Sequence, residues 1–188
     1  LEETLAGRGY HLLDNTRVQV ADLRPLQDAM AAQRPDGSKD LPTAESLKTA
    51  TDSVTGAEFQ IVPVPEWLHA YRELTEMPAM AREQHANLIR SIRPDCAFAL
   101  LLEGGKPVAC GLGVLEHDLF GLFDVITSRP HRGRGLAHML LSQLLRWGTC
   151  HGAQSAYLQV IADNRPALAL YARLGFKDLY TYWYRQTG

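Results

Sequence analysis

Apolar residues recur every three or four positions in some stretches of the chain and alternate or cluster in shorter ones, the pattern of helices interleaved with strands. Trp67, Leu68, Tyr71 and Leu74 share a helical face and predict a helix over 66–76; a second follows over 81–92, with Pro78 and Pro94 as separators. Leu136, Met139, Leu140, Leu144 and Trp147 predict a third helix, over 135–148, with one broad apolar face. A fourth, over 165–174, has Pro166 in its first turn and Gly175 at its end. Strands are predicted over 59–65, 96–102, 108–115, 119–127 and 155–161, and a final extended pair over 176–185. Gly104 and Gly105 make a hairpin turn and Asp118 opens the next, so three consecutive strands form an antiparallel meander. The expected architecture is a mixed α/β sheet, mostly antiparallel, with helices on both faces.

The first part of the chain reads differently. Residues 1–22 look like the tail of a helix, a glycine stop, and two extended pieces, 10–13 and 16–21, joined around Asp14 and Asn15. Residues 23–57 are polar and contain Pro25, Pro35, Gly37 and Pro42, which predicts a linker with one short helix in LRPLQDAMAA. The main domain is expected over 58–188. Residues 5–20 also echo residues 170–185: each has a helix end, then a glycine and an aromatic, then extended segments. On that echo, 1–22 is expected to be the remnant of a second, degenerate copy of the same fold, with chance similarity as the alternative.

Composition narrows the class. The 188 residues are 46% hydrophobic and 21% charged, enough apolar content for a core and too much for a wholly disordered chain. The formal charge of −2 gives no general attraction to nucleic acid or to an anionic membrane, so neither partner is expected. Three widely spaced cysteines, Cys96, Cys110 and Cys150, make neither a disulfide framework nor a metal knuckle, and His131 and His151 do not complete a zinc site. No metal is expected, and a reducing, cytoplasmic setting fits. No run of 18 apolar residues and no signal-peptide pattern is present. The first residue, Leu1, leaves room for sequence upstream.

The strongest chemical signal is SRPHRGRGLAHMLL, residues 128–141, which joins the end of a strand to the start of an apolar-periodic helix. Gly133 and Gly135 let backbone N–H groups approach a ligand, and the helix start adds unpaired N–H groups and a favourable dipole. Arg129, Arg132 and Arg134 add positive charge, so the segment reads as a phosphate cradle; a plain turn with solvating arginines is the alternative. It is neither a P-loop nor a dinucleotide fingerprint, because GxxxxGK[ST] and GxGxxG with a distant acid are both absent. No nucleophile elbow supports hydrolase chemistry.

Arg132, Gly133, Arg134, Gly135, Leu136 and Ala137 match the R/QxxGxG/A hallmark of the GCN5-related N-acetyltransferases, and residues 59–185 resemble that family. A second segment, NRPALALYARLGF at 164–176, resembles the family's other signature, one strand later. The resemblance implies the acyl-CoA N-acyltransferase fold, with a sheet splayed between the strands ending near Thr127 and beginning near Ser155. It implies acetyl-CoA as co-substrate, its pyrophosphate on the backbone of 132–137 and its pantetheine arm along Val125, Ile126 and Thr127. Asn164 would contact that arm, although Asn before a helix also serves as an N-cap. Tyr171 would donate a proton to the departing thiolate, although a tyrosine there also packs between helix and sheet.

Direct transfer to an amine requires a group that takes the amine's proton. Candidates are Asp124, Glu116 and His117; Asp124 is the most informative, because LFGLFDVIT otherwise reads as buried and an acid there needs a partner or a task. A backbone N–H near Val125 would meet the developing negative charge. The expected function is N-acetyl transfer to a primary amine of a small molecule or peptide, with a non-catalytic acyl-CoA-binding or scaffold domain as the alternative. Tyr180, Tyr182 and Tyr184 share one strand face, with Trp183 opposite; they fit an acceptor pocket, a homodimer seam or packing against another unit.

Overall fold

The computed structural model describes residues 4, 7–32, 49–51 and 56–187. The expected linker at 33–48 and 52–55, and most of the predicted helix tail at 1–7, lie outside the described residues. In chain order the elements are β1 (Tyr10–Asp22), α1 (Arg24–Ala32), β2 (Thr49–Thr51), β3 (Glu58–Ile61), α2 (Val64–Leu74), α3 (Ala79–Ser91), β4 (Asp95–Glu103), β5 (Lys106–Glu116), β6 (Leu119–Thr127), α4 (Leu136–Cys150), β7 (Ser155–Ile161), α5 (Arg165–Arg173) and β8 (Lys177–Thr187). They form a mixed α/β fold built on a mostly antiparallel sheet with flanking helices. The chain divides into two compact units, residues 22–156 and residues 1–21 with 157–188.

In the larger unit, β2 to β6 pair in sequence order, each antiparallel to the next. β3 ends at Ile61, earlier than the predicted 65, because Pro63 caps α2 and Pro65 sits in its first turn; neither has an N–H for a strand ladder. Side-chain alternation divides the sheet between two helical layers. Phe98, Leu100, Cys110 and Leu112 face Trp67, Leu68 and Tyr71 of α2 and Ala86 and Ile89 of α3. On the other face the bare Gly111 lies against Leu140 and Leu144 of α4, 3.2 Å from where its Cβ would stand. Phe120 fills the space left by Gly113 of β5 and Gly148 of α4 and packs against Trp147. α1, the short helix expected in the polar segment, buries Met30.

In the smaller unit, β1 is one strand and not two pieces. Asp14, at φ 48°, and a register shift between Leu13 and Thr16 accommodate the Asp14–Asn15 irregularity as a bulge. β1 runs antiparallel to β8, from Tyr10 opposite Thr187 to Val20 opposite Lys177. The expected C-terminal extended pair is therefore a single strand whose partner comes from the other end of the chain, and β1 lies between β7 and β8. Asp178 ties the pair together, accepting from Gln19 Nε2 at 2.7 Å and Arg17 at 2.8 Å.

Candidate active site

The cradle begins where β6 leaves its ladder. Ser128 N–H donates to Val108 O at 2.9 Å, so by antiparallel alternation Ile126, opposite Cys110, also turns its backbone toward β5. Thr127 and, by the same alternation, Val125 turn theirs away. Of the three β6 positions expected along the pantetheine arm, Val125 and Thr127 thus present backbone to the other edge, and Ile126 packs its side chain beside the α2–α3 core. A short turn over Arg129–His131 follows, pinned by Ser128 Oγ and His131 Nδ1 at 2.6 Å.

Gly133 and Gly135 have φ of 76° and 82°, and a Cβ on either would meet nothing within 4 Å. These residues make the turn and open onto free space. α4 starts directly after Gly135, whose carbonyl accepts from Met139 N–H at 3.0 Å; Leu136, Ala137 and His138 precede the first residue that finds an intrahelical acceptor. Leu136 is buried and anchors the helix start, while Ala137 is half-buried.

The arginines are more constrained than a solvating turn requires. Arg134 makes a two-pronged contact with Glu103 at the end of β4, 3.0 and 2.8 Å, and His131 Nε2 lies 3.8 Å from the same carboxylate. Arg132 Nε donates to Thr127 O at 3.2 Å, and exposed Arg129 lies 3.6 Å from Glu76. Glu103 therefore anchors the cradle loop to the β4–β5 hairpin. Nothing in its local pattern sets it apart from an ordinary strand-end acid.

Upstream of the cradle, β6 carries a bulge. Cys110 opposes Ile126 and Leu112 opposes Phe123, leaving Asp124 and Val125 opposite Gly111 alone. Asp124 has φ 51°, a left-handed conformation that aspartate tolerates better than most side chains. Phe120 and Leu122 are buried, and regular alternation would send Asp124 to their side, against α4. The bulge instead turns its carboxylate to the α2–α3 side, where His85 Nε2 lies 2.8 Å from Oδ2 and Tyr71 Oη 3.5 Å from Oδ1. The Trp67 indole N–H donates to Gly111 O at 3.2 Å. Tyr71 and His85 stack with centroids 4.4 Å apart, and Trp67 stacks on Tyr71 at 5.1 Å. Burial, with the charge of Asp124, pushes the Tyr71 hydroxyl above its ordinary range and keeps it a neutral donor.

Glu116 and His117 are exposed at the β5–β6 turn, and Glu116 pairs with Leu119. Asp124 lies five residues farther along β6, about 16 Å at strand rise, so the structure does not bring either to it. In the smaller unit Asn164 Oδ1 accepts from Ala167 N–H at 3.3 Å and caps α5. Tyr171 is buried, edge-on to Phe176 at 6.1 Å, and burial raises the pKa of its hydroxyl. Among the described residues, no group of three or more His, Cys, Asp or Glu could hold a metal, and no helix is long and apolar enough to cross a membrane.

Residues 62–176 match the Acetyltransferase (GNAT) family. The chain belongs to that family. It is 30% identical over 165 residues to a mycothiol acetyltransferase of Corynebacterium glutamicum, covering 85% of this chain and 53% of the relative. It is 23% identical over 123 residues to an uncharacterised N-acetyltransferase of Bacillus subtilis, covering 65% and 50%. The crystal structure of a GCN5-related N-acetyltransferase from Sphaerobacter thermophilus shares the fold at a TM-score of 0.69 and 21% identity, covering 98% of this chain and 55% of that one. The chain thus spans about half the length of the curated relatives it matches. For this GNAT chain, the open cradle, the glycine conformations and the start of α4 fit a pyrophosphate-bearing co-substrate.

Proposed function

We propose that the chain transfers the acetyl group of acetyl-CoA directly to a primary amine of a small molecule or peptide. The observation that carries this reading is the cradle, in which Gly133 and Gly135 open onto free space immediately before the start of α4. Acetyl-CoA supplies an activated acetyl thioester. Backbone N–H groups over 132–137 hold the pyrophosphate, and Arg132 and Arg134 contribute charge from positions fixed by Thr127 and Glu103. Val125 and Thr127 offer the β6 edge to the pantetheine arm. The N–H of Val125, at the bulge, meets the charge that develops on the acetyl oxygen, and Asp124 beside it takes the amine's proton.

Asn164 contacts the arm in addition to capping α5, and Tyr171 protonates the departing thiolate. The raised pKa of Tyr171 suits an acid that must hold its proton until needed. Residues 1–22 are read as the end of a second, degenerate copy of the fold, a reading for which relatives longer than this chain leave room.

A screen of primary amines with acetyl-CoA, read by release of free thiol, tests the activity. Turnover with at least one amine is expected. Acetyl-CoA binding without turnover across the screen would favour a non-catalytic acyl-CoA-binding domain.

A further inference from the structure

Asp124, His85 and Tyr71 meet at the β6 bulge from three elements: the strand, α3 and α2. The side chains of His85 and Asp124 remain 15% and 25% exposed, so the pair is reachable from outside the core. A carboxylate can only accept, so the 2.8 Å contact between Asp124 Oδ2 and His85 Nε2 requires the imidazole proton on Nε2. The hydroxyl of Tyr71 stands 3.5 Å from Oδ1, a long contact that leaves that oxygen weakly engaged.

Resting on the acetyl-transfer reading, we propose that His85 is the positioning residue of the site: its Nε2–H holds Asp124 Oδ2 and leaves Oδ1 as the atom that takes the acceptor amine's proton. In the step itself an N–H bond of the ammonium breaks and its proton passes to Oδ1. The freed lone pair forms the C–N bond as the C–S bond breaks; that electron pair leaves on sulfur as the thiolate, and the nitrogen releases its second proton to water to give the neutral amide. Throughout, His85 keeps its bond to Oδ2, which fixes the carboxylate in its left-handed backbone position.

The groups around the pair are the Tyr71 hydroxyl of α2, the Cys110 thiol of β5 at 3.8 Å from Asp124 O, and Arg82, one turn before His85 on α3. Burial keeps Tyr71 and Cys110 neutral.

The test compares His85→Ala and His85→Gln with the wild type. His85→Ala should lower kcat/KM by roughly 10²-fold with acetyl-CoA affinity unchanged. His85→Gln, whose amide N–H can still reach Oδ2, should recover much of that loss. An unchanged rate in His85→Ala, or a His85→Gln rate no better than that of His85→Ala, would overturn the role. Nitrogen-15 NMR of the His85 ring in the protein without ligands supplies a readout independent of turnover. The Nε2–H tautomer is expected, with its preference lost in Asp124→Asn; a Nδ1–H tautomer contradicts the proposal. Failure of the wild type to acetylate any amine would instead count against acetyl transfer, while the tautomer result would still decide whether His85 holds Asp124.

Discussion

At Gly135, φ is 82° and no atom lies within 4 Å of where a Cβ would stand, so the backbone conformation, not crowding, demands glycine. Gly135→Ala should therefore cost about 1–2 kcal/mol of stability, measured by denaturant unfolding, and weaken acetyl-CoA binding because the methyl would project into the open cradle. Equal stability for the two proteins would show that the loop relaxes without strain. Asp124 presents a different problem, an acid in an otherwise apolar strand. That anomaly was legible in the sequence. Its resolution was not, because His85 and Tyr71 come from helices 39 and 53 residues earlier and nothing local links them to β6. The bulge that turns Asp124 toward them was equally hidden, since a single left-handed residue leaves the apolar pattern on either side intact. Glu103 was invisible for the same reason: its importance lies in reaching Arg134, 31 residues on.

At the scale of elements, hydrophobic period located the helices and the meander, and β6 and β7 end where their apolar runs end. The misplacements have physical causes. β3 is short because Pro63 and Pro65 favour a helix start, and the C-terminal strand lacks a neighbouring partner because β1 takes that place. Local pattern cannot register a pairing between opposite ends of a chain. Packing between elements gives a sharp test at Gly148. In an isolated helix Gly148→Ala would gain up to about 1 kcal/mol, but here the new Cβ would come within 2.7 Å of the Phe120 ring. Overpacking should dominate, with a net loss of about 1–3 kcal/mol in denaturant unfolding. Phe120→Leu combined with Gly148→Ala should recover part of it; a stabilised single variant would mean that the ring moves freely.

At the scale of the whole molecule, the pairing of β1 with β8 joins the two ends of the chain, and Asp178 bridges it through Gln19 and Arg17. Hydrogen bonding from Gln19, followed by the contact with Arg17, lowers the Asp178 pKa below its ordinary value. A carboxylate depressed in the folded state contributes stability above its unfolded pKa, about 3.9, and loses that contribution as pH falls through its folded value. Asp178→Asn should thus lower stability at pH 7 and make no difference in strong acid, as followed by unfolding of the tyrosine-rich β8. An equal effect at both pH values would assign the loss to packing instead of charge.

The central claim is that residues 132–137 form a working phosphate cradle, and calorimetric titration of the purified chain with acetyl-CoA tests it most directly. One-to-one binding at micromolar or tighter affinity, weakened in Gly135→Ala, is the expected result. A folded chain that shows no binding to acetyl-CoA or to free CoA would contradict it.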